Sequence, residues 1–251
     1  MNWEPALEAA LLKAASIESF PSIASLTDLT LLDHAASETD VKKLVTTALD
    51  KYVAAICVFP QHLSWVSENF ILSKANDRPA LATVVNFPSG NDSQDAVLES
   101  IRDAITLHKA QEIDYVFPYQ LYFAGDVKKA LSNCASAYQQ TKQYGAMFKV
   151  ILETGAFQSL DMVYQLSLDI IENGCDFLKT STGKIAIGAT LPAAFAILKA
   201  ITDTKTACGI KISGGIKTEQ QAYQYMRLAQ SMTELKLNKH WFRLGTSKMV
   251  A

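Results

Sequence analysis

Residues 176–184 read D-F-L-K-T-S-T-G-K, and residues 209–215 read G-I-K-I-S-G-G. Each is a short apolar run interrupted by a lysine, with glycine following within a few residues. Between them, Thr190 and Pro192 open an apolar stretch, and proline is tolerated in the first turn of a helix. Strand, turn, helix and next strand make one βα unit. The same grammar extends outward. Apolar runs rich in β-branched residues recur at Ser25 to Thr30, Val53 to Phe59, Ala80 to Phe87, Ile113 to Phe117, Met147 to Leu152, Asp176 to Thr180, Gly209 to Ile212 and Trp241 to Leu244. Their starts lie about 27 to 34 residues apart, the size of one strand, one helix and two loops. Repeated along 251 residues, this is the arithmetic of an α/β (β/α)8 TIM barrel. A doubly wound open sheet is the competing fold, but no G-x-G-x-x-G follows the first strand.

Helix starts are legible between the runs. Ser37 with Asp40 resembles a capping box, and Thr218 with Gln221 matches the pattern. In the last long helix, Ala222, Tyr225, Met226 and Ala229 repeat at helical spacing. An extra N-terminal helix, roughly Pro5 to Ile17 within residues 1–20, is expected to cover one end of the barrel. No linker or change of composition divides residues 1–251, so a single barrel domain is expected.

Composition narrows the function. The chain is 49% hydrophobic and 19% charged, with ample apolar material for a core. Lys+Arg number 23 against Asp+Glu 25, so no basic excess exists to neutralise a nucleic acid backbone. The uncharged stretch from Ile185 to Leu198 is too short for a membrane span and holds Gly188 and Pro192. The opening M-N-W-E-P-A-L-E is acidic, the reverse of a secretory signal, so a cytoplasmic protein is expected. Cys57, Cys134, Cys175 and Cys208 form no C-x-x-C and read as reduced thiols. His34, His62, His108 and His240 show no metal-ligand spacing, which leaves only a site assembled by the fold. The low charged fraction fits a homodimer face or an apolar surface equally.

Three ionisable residues interrupt apolar strands: Asp114 in E-I-D-Y-V-F-P-Y, Lys179 and Lys211. Burying them is costly unless they are paired. One reading is a structural ion network. The other is a nucleophilic lysine kept partly neutral by a second lysine. A free lysine has a pKa near ~10.4, so it is almost wholly protonated at neutral pH. A like charge at about 4 Å in an effective dielectric near 20 is worth about 4 kcal/mol, or roughly three pK units. The neutral amine then becomes a sizeable fraction, as Schiff-base chemistry requires. Four of the 11 glycines, Gly183, Gly214, Gly215 and Gly245, fall at or after the last three strands, where barrels commonly bind phosphate.

Taken together, the stretches D-L-T at Asp28, A-A-I-C-V-F-P at Cys57, V-N-F-P-S-G-N at Asn86, E-I-D-Y-V-F-P-Y at Asp114, K-V-I-L-E-T-G at Lys149, D-F-L-K-T-S-T-G-K at Lys179, G-I-K-I-S-G-G at Lys211 and F-R-L-G-T-S at Gly245 resemble the deoxyribose-phosphate aldolases. These are class I aldolases that need no metal or other cofactor. The resemblance runs from about Leu26 to Ser247. It implies reversible cleavage of 2-deoxy-D-ribose 5-phosphate to D-glyceraldehyde 3-phosphate and acetaldehyde, in the setting of cytoplasmic deoxynucleoside breakdown. It implies that Lys179 forms the Schiff base, that Lys211 lowers its pKa, and that Asp114 is the acid/base carboxylate. Phosphate is implied at Gly183, Lys184, Gly214, Gly215, Gly245 and Ser247, with Thr182 on a substrate hydroxyl. Asp28, at the end of the first strand, is expected to hold Lys211. Lys149 is expected to face the site or to pair with Glu153. Cys57 is expected to be a packed thiol near the site. A transaldolase or ketose-phosphate aldolase, and a catalytically silent sugar-phosphate sensor, are the competing readings. A metal-dependent aldolase finds no ligand set in the sequence.

Three departures from the family pattern stand out. The usual K-P-A-G-G reads K-I-S-G-G, with Ile212 and Ser213, which is expected to alter the stiffness of the following loop. Lys248 follows Ser247 where a second small hydroxyl residue is usual, either adding charge at the phosphate or facing solvent. The sequence ends at Ala251 without the tail tyrosine of some relatives, so enamine protonation is expected to rely on Asp114, Lys211 and water.

Overall fold

The computed structural model describes residues 2–73 and 77–249. Strands β1 (Thr27–Leu31), β2 (Ala55–Val58), β3 (Ala80–Val85), β4 (Glu112–Val116), β5 (Met147–Ile151), β6 (Phe177–Lys179), β7 (Gly209–Ser213) and β8 (Phe242–Thr246) pair in parallel, in chain order. β8 pairs with β1 and closes the barrel. Every run read as a strand is one. The expectation attached to Ala251 lies outside the described residues.

Helices α1 (Trp3–Ala14), α2 (Glu38–Lys51), α3 (Leu63–Ser73), α4 (Gln94–Thr106), the short α5 (Tyr119–Phe123), α6 (Val127–Gln143), α7 (Leu160–Asn173), α8 (Leu191–Thr204) and α9 (Glu219–Thr233) surround it. Their starts follow from local chemistry. Ser37 and Asp40 make a reciprocal capping box on α2, as do Thr218 and Gln221 on α9. The Thr190 hydroxyl accepts from the Ala193 N–H at 3.2 Å, with Pro192 in the first turn of α8. Each side chain satisfies an N–H that has no carbonyl inside the helix.

α8 is apolar on nearly all sides, burying Ala193, Ala194, Phe195, Ala196, Ile197, Leu198, Ala200 and Ile201. A helix of this kind needs cover on its outer face as well as its inner one. α1 supplies part of it. Trp3 packs edge-on against Phe195 and Tyr164 and donates to Asp161 at 2.9 Å, while Lys13 at the other end of α1 pairs with Glu234 at 2.9 Å. The expected position of this helix over an end of the barrel is therefore corrected. It lies along the outer wall, against α8 and α9.

The barrel interior has two unlike halves. On the β2–β3 side it is apolar and small, with Ala55, Cys57, Phe59, Ala82 and Val84 in one cluster. The rest is filled by ionised side chains. Strand register sets them in place, because Asp114 is level with Lys149, Lys179 with Lys211, and Lys211 with Arg243. Alternation along a strand sends residues two apart to the same face. Glu112 and Asp114 therefore point inward together from β4.

Candidate active site

Lys179 is the last residue of β6 and lines a cleft of about 320 Å³ at the C-terminal ends of the strands. The cleft is also lined by Thr182, Gly183, Lys184, Ser213, Gly214, Gly215, Gly245 and Ser247. A larger depression of about 730 Å³ lies at the opposite end, lined by Gln111, Met147 and Asp176 at the strand starts. Size alone favours the larger one. The reactive groups and the glycine turns are at the smaller, which is the active face in barrels of this architecture.

Beneath the cleft lies a buried ion cluster. Asp114 Oδ2 accepts from Lys179 Nζ and Lys211 Nζ, each at 2.7 Å, and Asp114 Oδ1 accepts from Lys149 Nζ at 2.9 Å. Lys211 also reaches Asp28 Oδ2 at 2.5 Å, and Lys149 reaches Glu112 Oε2 at 2.6 Å. Arg243 closes the set, with Nη1 on Asp28 Oδ1 at 2.5 Å and Nη2 on Glu112 Oε1 at 2.9 Å. Desolvating such groups costs several kcal/mol per ion, so a cluster of this size persists only when nearly every charge is matched.

The electrostatics separate the two lysines. Burial disfavours the charge of Lys179 and pulls its pKa below the usual lysine value, with Asp114 opposing and Lys211 adding to the fall. Burial acts on Lys211 too, but Asp114 and Asp28 outweigh it and hold that ammonium firmly protonated. Burial is likewise outweighed at Asp114, which Lys149, Lys179 and Lys211 hold well below the carboxylate range. The like charge expected from Lys211 is present and has the expected sign. Its effect is smaller than that of burial and smaller than the opposing pull of Asp114.

The remaining residues divide. Asp28 does sit against Lys211, but as the second residue of β1 rather than at its end. Lys149 faces Asp114, Glu112 and Asp28, not Glu153. Glu153 follows β5 in a left-handed conformation, and its carboxylate accepts from the Thr182 N–H at 3.2 Å and from the Thr182 hydroxyl. That hydroxyl in turn accepts from the Lys184 N–H at 3.0 Å. Cys57 is fully buried, and burial pushes its thiol up to about 11. Gly245 lies inside β8, where a Cβ would stand 3.1 Å from Lys211 Cε and 2.9 Å from Ser213 Cβ. It makes room for the lysine beside the cleft.

Gly183, Gly214 and Gly215 take positive φ, and a Cβ on Gly188 would stand against the Gly214 carbonyl oxygen, too close for a side chain. The loops after β6 and β7 therefore meet backbone to backbone. Ser213, one of the departures, donates its hydroxyl to the Ser181 carbonyl and its N–H to Thr180 Oγ1 at 3.0 Å, tying those loops together. Ser247 and Lys248 are exposed, and Lys248 lines a groove beside α2 rather than the cleft.

Four residues of this region escaped the sequence reading. Glu112 and Arg243 complete the ion cluster. Lys217 lines the cleft next to the start of α9, and Thr246 lines it with a buried hydroxyl that has no hydrogen-bond partner among the described residues. Counting two residues back from Asp114 and from Gly245 reaches Glu112 and Arg243. Among the described residues, no group of three or more His, Cys, Asp or Glu side chains is arranged to hold a metal ion.

Residues 24–235 match the family described as DeoC/LacD family aldolase. The chain belongs to that family. Members are aldolases, enzymes that cleave carbon–carbon bonds. The chain is 36% identical over 230 residues to the deoxyribose-phosphate aldolase of Agrobacterium fabrum, covering 89% of this chain and 85% of that one. Among solved structures, the tetrameric deoxyribose phosphate aldolase of Aeropyrum pernix superposes with a TM-score of 0.78 at 24% identity, covering 96% of this chain and 93% of that one. The aldolase QR15 superposes with a TM-score of 0.73 at 26% identity, covering 90% and 91%. No helix among the described residues is long and apolar enough to cross a membrane.

Proposed function

We propose that this chain, as one barrel domain of the cytoplasm, cleaves 2-deoxy-D-ribose 5-phosphate reversibly to D-glyceraldehyde 3-phosphate and acetaldehyde, through a Schiff base on Lys179. One observation carries the reading. Lys179 is the cation of the cluster with a single carboxylate partner, shared with Lys211, and it alone among them lines the cleft.

The neutral amine of Lys179 adds to the substrate aldehyde, and the carbinolamine so formed takes up a proton on its hydroxyl and loses water to leave an iminium. That cation draws in the electron pair as the C2–C3 bond breaks, while the C3 hydroxyl gives up its proton to Asp114, directly or through water. Glyceraldehyde 3-phosphate departs. The enamine left on Lys179 takes a proton at carbon, supplied from Asp114, Lys211 and water, and hydrolysis releases acetaldehyde. The iminium keeps the positive charge that Lys179 could not hold cheaply, now against Asp114.

The phosphate is assigned to the far side of the cleft, at the N–H groups of Gly183, Gly214, Gly215, Gly245 and Ser247, with the ammonium groups of Lys184 and Lys217. Backbone N–H groups at glycine turns and at the start of a helix suit a phosphate. Thr182 serves a substrate hydroxyl as acceptor, since its own proton is committed to Glu153.

The test is incubation with acetaldehyde and sodium borohydride, followed by peptide mapping. An ethyl adduct on Lys179, absent from Lys179→Leu, is expected. A folded protein that forms no adduct overturns the Schiff-base reading.

A further inference from the structure

The cluster holds four cations, Lys149, Lys179, Lys211 and Arg243, against three carboxylates, Asp28, Glu112 and Asp114. One positive charge is therefore in excess. The partners decide where the excess is shed. Lys211 bridges Asp28 and Asp114, Lys149 bridges Glu112 and Asp114, and Arg243 bridges Asp28 and Glu112. Lys179 touches one oxygen of one carboxylate, and that oxygen already serves Lys211. A guanidinium cannot give up its proton in a protein. The cheapest proton to lose is the one on Lys179.

We propose that Arg243 is a positioning residue for the amine of Lys179. From the opposite end of the barrel, it occupies Asp28 and Glu112 and so supplies the surplus charge that leaves Lys179 without a proton. Arg243 touches neither the cleft nor Lys179. Its side chain is buried at the start of β8, with its guanidinium over the Phe177 ring and its Nε donating to the Lys239 carbonyl. Without it, three cations would face three carboxylates, and Lys179 would keep its proton to balance the set.

The other groups around Lys179 do not change the count. Cys57 on β2 is a buried neutral thiol. Glu153 after β5 lies within electrostatic reach of Lys179, which opposes the upward push of burial on its carboxyl, but its oxygens are spent on Thr182 and it forms no ion pair with any of the four cations. Asp114 on β4 and Lys211 on β7 are already counted, as are Lys149 on β5, Asp28 on β1 and Glu112 on β4.

The inference rests on the Schiff-base reading, and the experiment separates the two. The rate of acetaldehyde trapping on Lys179 by borohydride is measured against pH for the parent, Arg243→Met, Glu112→Gln and the double variant. Removing one buried charge several ångströms away is worth on the order of one pH unit. The trapping midpoint is expected to rise by about that much in Arg243→Met, giving roughly a tenfold slower reaction below it. It is expected to fall in Glu112→Gln and to return near the parent in the double variant, where three cations face two carboxylates and the excess is one again. Arg243→Lys, which keeps the charge and loses the fork, is expected to stay near the parent. Should Arg243→Met not fold, the fall in Glu112→Gln and the unmoved midpoint of Arg243→Lys still decide. Shifts of the same direction in both single variants, compounded in the double, would make Arg243 a packing residue only. A parent without an adduct on Lys179 would overturn the Schiff-base reading instead.

Discussion

Lys179 and Lys211 are register partners on neighbouring strands, and their amines share one oxygen of Asp114 at equal distances of 2.7 Å. The same contact with Asp114 accompanies opposite outcomes. Lys211 has a second carboxylate in Asp28 and is held protonated, whereas Lys179 has none and is pulled below the ordinary lysine range, by burial first. Removing Asp28 should erase this asymmetry. In Asp28→Asn we expect kcat to fall by about two orders of magnitude, the scale of a lost acid/base arrangement. KM should change little, because Asp28 is fully buried beneath the cleft. Steady-state kinetics check the split.

The pH dependence of activity follows from the sign at Lys179. The reaction needs the neutral amine, and the folded protein lowers its pKa. The profile of kcat/KM should therefore rise with pH on its acid side, with a midpoint below the ordinary lysine value of about 10.4. Lys211→Met removes a like charge and should move that midpoint upward. A midpoint that fails to move would assign the lowering to burial alone.

Stability should depend on pH through the carboxylates. Asp28 and Asp114 are held below their usual range by Lys211, Arg243 and Lys149, and by Lys149, Lys179 and Lys211, with burial opposing in each case. A depressed folded pKa stabilises the fold above the unfolded value of ~3.9, and the benefit is lost as pH falls from there toward the folded pKa. Thermal melts should accordingly fall steeply below about pH 4. Asp28→Asn should melt lower at neutral pH and show a shallower acid slope.

Gly245→Ala tests space rather than charge. The added methyl would stand 3.1 Å from Lys211 Cε and 2.9 Å from Ser213 Cβ. Overpacking of this kind costs about 1–3 kcal/mol. We expect a lower melting temperature together with slower trapping of acetaldehyde on Lys179, since Lys211 is the group displaced.

Phosphate recognition is read out by comparing phosphorylated and unphosphorylated sugar. A hydrogen bond to a charged group is worth about 1.5–3 kcal/mol, or roughly tenfold or more in affinity. Lys184→Met and Lys217→Met should each raise KM for 2-deoxyribose 5-phosphate by about tenfold. Kinetics on 2-deoxyribose should be unmoved, as Lys248→Met should leave both substrates unmoved.

The parts of this molecule that were legible in sequence are those where chemistry breaks a pattern. A lysine or aspartate inside an apolar run is conspicuous, and Lys179, Lys211 and Asp114 all lie within the strands read from those runs. Glu112 and Arg243 are the first and second residues of their strands, where charge is ordinary, so nothing flagged them until their partners were known. Lys149 was offered Glu153 as a partner by closeness along the chain. The left-handed turn at Glu153 carries that carboxylate away to Thr182, while strand register brings Asp114 alongside Lys149. The N-terminal helix was found but misplaced, because an apolar face does not say which surface it covers. That answer lay in α8, whose outer side needed cover.

Asp28 comes from the first strand of the barrel and Arg243 from the last, and their ion pair spans the seam where β8 meets β1. The four-cation, three-carboxylate cluster is thus completed only when the two ends of the sheet join. During synthesis, every strand that bears a lysine of the cluster emerges before the arginine does. Until the final strand docks, the cluster lacks both the guanidinium and the seam that bring Asp28 and Glu112 into one charge network.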